Sequence, residues 1–468
     1  MQFDFNSDYP GLNATTVSQA LPLEALSHDP IPFPDAQEIS CARITTRVFN
    51  PTHSAVTTVQ NVLVRTGARS LRDDASVSSN MSSDSSSSDE SMKVEDQPIR
   101  HSAVTSVKNA YWLQRTIREA IYGRVLLAVV LKRRPPELSA ADGAEWEVTA
   151  DHCAVKEMSW QHIRREKDRL AEDPIKEVSS MQYLKLFFAE YQRASGRTVT
   201  QLDSTVMESF QVMRETNVMM PLDLLTDELN MYSIMPYCDG GELFERLDLN
   251  ERFSEDEARY WMDQVLNGLE TLQHAGICHR DMSLENLLVH QNGALIIDMG
   301  MCLMIPFQDT ATQTAMAAFN NMSSNRSNLF HVANKQFLTG RSRPRLLIRP
   351  QGTCGKWMYM SPEIYKNSEP FDGFAVDMWA AGVILFLMLT GFPPWERACA
   401  TDERFHYMTA GYLVQMLTEW NIGLSGDAMD LLQRMLFLDP KDRLSLDQVK
   451  AHPWMTNGQR SQPQGLRR

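Results

Sequence analysis

The sequence predicts an α+β chain in two lobes, a strand-rich part followed by a mainly helical one. Three observations carry this. Dense apolar periodicity begins at Tyr111, the Val- and Leu-rich run 122–131 (YGRVLLAVVL) reads as strand, and 376–454 carries mostly helical spacing. The 468 residues exceed one domain at roughly 150 residues each. Residues 1–108 look different: ten of the sixteen residues from Ser76 to Ser91 are Ser, a composition that buries too little apolar surface to offset ordering. This region is expected to be a disordered, acidic, Ser-rich arm. Its patch TTVQNVLV (57–64) reads as a small helix or a docking peptide.

The elements follow in order. Residues 132–147 are expected as an exposed insertion before the short strand CAVKEM, and 177–191 as a helix, with Val178, Met181, Leu184, Leu186 and Phe187 at helical spacing. Residues 189–217 read as an insertion able to hold its own helix. Leu229–Tyr237 reads as a strand entering the turn DGG. Ser254, with Glu257 three residues on, caps a helix reaching Leu272. LLVH and ALIIDMG are short strands joined by the turn NG. Residues 306–348 form a long polar insertion, and 456–468 a flexible tail.

Composition removes some classes of function. Lys and Arg total 45 against 59 Asp and Glu, a net −14, which argues against a nucleic-acid partner. The densest apolar run, Met378–Leu389, falls short of the ~20 residues of a membrane span. The first residues show no secretory pattern, and seven Cys without a CxxC pair speak against a disulfide or zinc framework. The expectation is an intracellular protein, cytoplasmic or nuclear.

Chemistry concentrates in His279-Arg280-Asp281-Met282-Ser283-Leu284-Glu285-Asn286, where a carboxylate precedes an amide by five residues. Asp298 ends the strand LIID, and Lys156 lies upstream on a short strand. Asn286 and Asp298 offer hard oxygen ligands for Mg²⁺, Lys156 a cation for phosphate, and Asp281 a carboxylate to orient a hydroxyl.

In these motifs the chain resembles a protein kinase over about 112–455. AVK (154–156), HRDMSLEN (279–286), DMG (298–300), SPE (361–363), the helix within 376–395 and DPKDRLSLDQVKAHPW (439–454) appear in the family's order, the last resembling the calmodulin-dependent-kinase-like Ser/Thr branch. The resemblance implies a bilobal kinase fold, a small mainly-β N-lobe (about 109–235) with one key helix and a large mainly-α C-lobe (about 236–455). It implies ATP and Mg²⁺ as cofactors and protein substrates as partners. It assigns Lys156 to the phosphates and Glu177 as its partner, Asp281 as base or orienting carboxylate, and Asn286 and Asp298 as Mg²⁺ ligands. Gly123, Val125, Ala154, Met235, Tyr237, Cys238 and Glu242 would line the nucleotide site. Met181, Leu222, His279 and Met299 would form the apolar column between lobes, while Glu363–Arg443 and Asp377 would be structural. No calmodulin-binding tail is recognisable.

The departures sharpen the reading. Arg118 and Ala120 occupy the first two Gly positions of the phosphate loop, which keeps a pseudokinase scaffold as the rival function. The usual activation phosphosite is Gly352, leaving Thr353 as the nearest hydroxyl. Ser86 and Ser87, each with an acid three residues later, are candidate phosphosites facing a basic insert that includes Arg345 and Arg349. Glu242 and Glu285 stand where the resemblance implies carboxylates that face an Arg upstream of the acceptor, which leads to the expectation of such substrates. Finally, Ser283 stands where the family's catalytic-loop Lys belongs, and Lys356 where its activation-segment Thr belongs. The expectation is that hydroxyl and ammonium have exchanged loops.

Overall fold

The computed structural model describes residues 23–66, 109–166, 169–194, 206–307 and 345–461. They form two compact units, one of Gln37–Glu166 with Pro221–Tyr237 and one of the remaining chain. The first is mainly β and the second mainly helical, as the sequence predicts. Ser86, Ser87 and residues 308–344 of the long insertion lie outside the described residues.

Three strands lie in the part of the chain expected to be disordered: β1 (Leu23–His28), β2 (Ile39–Asn50) and β3 (Ala55–Arg65). Strands β4 (Asn109–Ala120), β5 (Gly123–Arg133), β6 (Trp146–Ser159), β7 (Asp223–Thr226) and β8 (Asn230–Pro236) follow. In the β unit they close into a barrel of order β2-β3-β4-β5-β6-β8-β7. The β2–β3 hairpin bridges the two edges of the five-stranded remainder. Val62 and Leu63 pair with Trp112 and Tyr111 on one side, and Ile39 and Ser40 pair in parallel with Leu225 and Thr226 on the other.

The disordered reading of 1–108 is therefore corrected for 39–65. Val48, Val59 and Val62 join Ala110, Leu131 and Trp146 in one core. The apolar patches of the hairpin are too short to fold alone; strands distant in sequence supply their partners. Polar ties reinforce closure. Arg43 pairs with Glu157 and donates to the Tyr232 hydroxyl at 3.1 Å, and Arg65 holds Asp223 at 2.6 and 2.8 Å. The expected 132–147 insertion is corrected too. Its middle is a helical turn, α1 (Pro136–Asp142), and β6 already begins at Trp146, whose ring is 2% exposed. Helix α2 (Trp160–Glu166) ends this unit's first stretch.

In the helical unit, α3 (Pro174–Ala194) buries Val178, Met181, Leu184 and Phe187, whereas Leu186 is 50% exposed, off the packed stripe. The 189–217 insertion ends in α4 (Val206–Thr216). Helices α5 (Leu243–Asn250) and α6 (Glu255–His274) come next, and the Ser254 hydroxyl accepts from Glu257 N, as the capping motif requires. Short strands β9 (Ile277–Cys278), β10 (Leu287–His290), β11 (Gly293–Ile296) and β12 (Leu303–Met304) form two antiparallel pairs, β9–β12 and β10–β11.

Strand β13 (Leu346–Ile348) pairs in parallel with β1. The stretch after β1 stays on this unit. Ile31 N donates to Met304 O at 3.1 Å, Arg349 N to His28 O at 3.0 Å, and Phe33 meets the Tyr183 ring of α3 edge-on at 6.0 Å. Of the basic residues expected to await a phosphate, Arg345 is instead buried and paired with Asp372 at 2.6 Å, and Arg349 lies 3.2 Å from Asp29.

Helices α7 (Pro362–Lys366) and α8 (Gly373–Thr390) lead into shorter helices between Glu403 and Asn457. Helix α8 has a mean hydropathy of 1.8 over 18 residues, enough in length and composition to cross a membrane, but every residue is buried within this unit. It is the central core helix. Below it Arg443 holds Glu363 at 2.8 and 3.3 Å, donates to Ala375 O at 2.7 Å, and lies over the Trp379 ring. The Arg443 side chain is fully buried. E363A is expected to strand this guanidinium and destabilise the helical unit by ~3–5 kcal/mol. Chemical denaturation followed by Trp fluorescence checks it; an unchanged midpoint would show the pair to be dispensable.

Candidate active site

The catalytic-loop residues are held by two buried groups. Asp377 on α8 accepts from His279 N at 2.7 Å and Arg280 N at 2.8 Å. His279, itself fully buried, lies 2.9 Å from Ile297 O through Nε2 and accepts from Asp281 N through Nδ1 at 3.2 Å. Those partners select the Nε2–H tautomer. Arg280 and Asp298 adopt left-handed backbone conformations, φ 67° and 65°, rare for residues with a Cβ. One of the two strained residues directly precedes Asp281 and the other is Asp298 itself.

Burial pushes the Asp377 carboxyl up to about 6, against the pull of its two backbone donors. A raised carboxyl favours the folded state below its unfolded value near 3.8, and that contribution is lost as pH rises through about 6. Wild type is therefore expected to lose on the order of 2–3 kcal/mol from this group between pH ~4 and ~6. In D377N that part of the slope should vanish. Equilibrium unfolding of both proteins across that range compares them directly, and parallel slopes would count against the assignment.

Asp281 is clamped by Asn286, whose Nδ2 donates to the Asp281 carbonyl at 2.7 Å and to its carboxylate at 3.0 Å. Burial raises the Asp281 carboxyl above its usual range; the Lys356 charge pulls it down and Asp298 pushes it up. Lys356 N donates to Asp281 Oδ1 at 3.2 Å. Gly355 makes this approach possible. Its φ is +88°, and an added Cβ would sit 2.9 Å from Arg280 O. The Lys356 ammonium then reaches Ser283 Oγ at 2.6 Å and Asn286 Oδ1 at 3.4 Å. The two residues expected to have exchanged loops are in direct contact.

Asp298 shares its surroundings with Glu172 and Glu177, whose carboxylates lie within 4.8 Å of one another and of it. Glu172 was not singled out from sequence; it precedes α3 in an acidic stretch with no motif. These carboxylates are hard oxygen donors suited to Mg²⁺. Glu177 is 3% exposed in the first turn of α3. Met181, His279 and Met299 are all buried in this unit, and Leu222 belongs to the other.

Both ends of the long segment after Asp298 are anchored. Leu303, Ile305 and Phe307 pack with Ile348, Cys354, Met360 and Ile364 in one cluster. The Arg280 guanidinium donates to Met301 O at 3.4 Å and Gly352 O at 3.3 Å, tying the two ends of the segment to the loop. Thr353 is exposed. Glu285 accepts from the Tyr359 hydroxyl at 3.2 Å, and Glu242 stands at the N-cap of α5.

In the β unit Lys156 lies on β6, 9% exposed, opposite Val125 on β5 and Ser233 on β8. Ala154 faces Met235, and Tyr237 N reaches His152 O at 3.5 Å. Cys238 is buried, its thiol pushed up to about 12 by burial. The variant phosphate-loop stretch is a tight hairpin, with Arg118 opposite Val125 and Ala120 opposite Gly123. Gly123 is required there, since a Cβ would lie 2.1 Å from Glu157 O.

A protein kinase domain model matches residues 146–323 and 337–455, which include Lys156, Asp281, Asn286 and Asp298. The chain belongs to the protein kinase domain family. The match to the kinase domain begins at the first residue of β6, so β2–β5 lie outside it. The chain is 30% identical over 256 residues to the serine/threonine-protein kinase DCLK3 of Mus musculus, covering 54% of this chain and 27% of that protein. It is 28% identical over 242 residues to the serine/threonine-protein kinase SAPK2 of Oryza sativa subsp. japonica, covering 52% of this chain and 60% of the relative. It is 24% identical over 280 residues to an abscisic acid-inducible protein kinase of Triticum aestivum, 60% of this chain and 72% of that one. Family membership implies dependence on ATP and Mg²⁺.

Proposed function

We propose that this protein is a serine/threonine kinase that transfers the ATP γ-phosphoryl group to protein hydroxyls. One observation carries the reading: Asp281 is fixed by Asn286 and by the Lys356 backbone N–H, with the Lys356 ammonium on Ser283 and Asn286, in a chain that also holds Asp298 in the helical unit. Asp281 orients the acceptor hydroxyl and takes its proton as the oxygen–phosphorus bond forms and the bond to the ADP oxygen breaks. Asn286 and Asp298 would hold Mg²⁺, which when bound neutralises charge on the phosphate oxygens. Lys156 would hold the α/β-phosphates. Phosphate transfer from radiolabelled ATP to a protein substrate, lost in D298N, tests the reading.

The proposal extends to the calmodulin-dependent-kinase-like branch and to substrates with Arg upstream of the acceptor. Glu242 and Glu285 are partly exposed carboxylates able to meet a guanidinium, Glu285 already oriented by Tyr359. A peptide array that favours acids upstream would reject this choice. Thr353 remains the candidate activating phosphosite.

The scaffold reading is favoured by the 118–125 hairpin. Its pairing continues to Ala120–Gly123, and Tyr122 beyond it is 1% exposed, unlike an open glycine loop. Thermal melts with ATP, with and without Mg²⁺, separate the two: a kinase is stabilised in a metal-dependent way.

A further inference from the structure

We infer that Lys356, a residue of the segment after Asp298, supplies the phosphate-facing positive charge of the catalytic loop, with Ser283 as its hydroxyl seat. The inference rests on the kinase reading above. Ser283 is fully buried, and its Oγ accepts from Asn286 N at 3.3 Å. A serine in that position carries no charge, so the catalytic loop itself has no ammonium beside Asp281. Lys356 fills that lack from the other side. Its backbone is pinned to Asp281 Oδ1 at 3.2 Å, and its Nζ lies 2.6 Å from Ser283 Oγ and 3.4 Å from Asn286 Oδ1. These oxygens belong to three residues of the one catalytic-loop stretch 281–286.

The geometry is also over-determined. Gly355 lets the segment press against Arg280 O, and Lys356 O accepts from Tyr359 N and Met360 N, both at 3.0 Å. A solvent-facing lysine has no need of such a seat, since an exposed ammonium loses rotamer entropy when fixed. In phosphoryl transfer the ammonium acts as a fixed positive charge and gives up no proton to the reaction. It lowers the barrier by stabilising charge on the equatorial oxygens as the bond to ADP breaks and the bond to the acceptor hydroxyl forms. The acceptor's proton goes to Asp281.

The test is a double-mutant cycle on phosphate transfer with the full chain: wild type, S283K, K356T and S283K/K356T, with kcat and the KM for ATP measured separately. K356T is expected to lose on the order of 10² in kcat with the KM for ATP within about twofold. S283K alone places two ammoniums in one seat and should also fall. The double variant should recover at least about tenfold over K356T, a coupling that a merely structural lysine would not give. K356M keeps the side-chain length without its charge and covers the case in which K356T misfolds; thermal melts identify the folded variants. A folded K356T or K356M within about twofold of wild-type kcat overturns the inference while leaving the kinase reading intact. Failure of the double variant to recover overturns the exchange. No transfer by wild type above the D298N background overturns the kinase reading itself, and this inference with it.

Discussion

Deleting residues 1–66 is expected to unfold the β unit. The deletion removes β2 and β3 and leaves β4 and β7 with unpaired edges in place of a closed barrel. It takes out Val48, Val62 and Leu63, which are fully buried, at about 1.5–3 kcal/mol of burial each. It also removes Arg65 from Asp223, which is 6% exposed and loses that cation, and Arg43 from Glu157, which keeps only Arg124 at 2.7 Å. A buried pair broken by losing one partner costs about 3–5 kcal/mol. These losses together are of the same size as the ~5–15 kcal/mol that ordinarily holds a domain folded. Circular dichroism melts of 67–468 should lack the β unit's transition, whereas 37–468, which keeps the hairpin, should retain it. Equal melts for 67–468 and the full chain would show that the barrel does not depend on its hairpin.

Replacing Asp281 by Asn is expected to lower kcat by about 10²–10⁴ with the fold unchanged. The substitution removes the proton acceptor, yet the main-chain anchors survive. Asn286 Nδ2 still donates to the residue 281 carbonyl, and the residue 281 amide to His279 Nδ1. Steady-state phosphate transfer with a melt of the same preparation checks both halves. A variant within tenfold of wild type would place the proton acceptor elsewhere.

The candidate site was legible because its parts are contiguous in sequence. Asp281, Ser283 and Asn286 share one turn, and their bonds to each other are local. Lys356 was readable only through its displaced residue type. The Gly355 backbone that seats it became visible from its φ and its approach to Arg280 O. The hairpin was illegible for the opposite reason. Nothing within 39–65 states that its partners are Trp112, Trp146 and Leu225, and a short apolar patch read alone offers no core. Glu172 escaped likewise, since its proximity to Asp298 is created by the approach of Asp173 N to Gly300 O, 3.2 Å apart. Leu186 failed by a small angular error, because helical spacing tolerates one residue off the stripe.

The pairing of β1 with β13 has a consequence for synthesis. A ribosome makes Leu23–His28 early, but its strand partner Leu346–Ile348 emerges only after the whole β unit and the catalytic loop have left the tunnel. The hairpin meets a shorter version of the same delay, since Ile39 waits for Leu225 before the barrel can close. Both contacts are of high sequence separation and must form late, after loop-closure entropy has been met. Until then these early-made strands are exposed edges, the condition under which nascent polypeptides engage chaperones or associate with one another. Translation speed between residues 66 and 226 should therefore alter the yield of this protein more than its final stability.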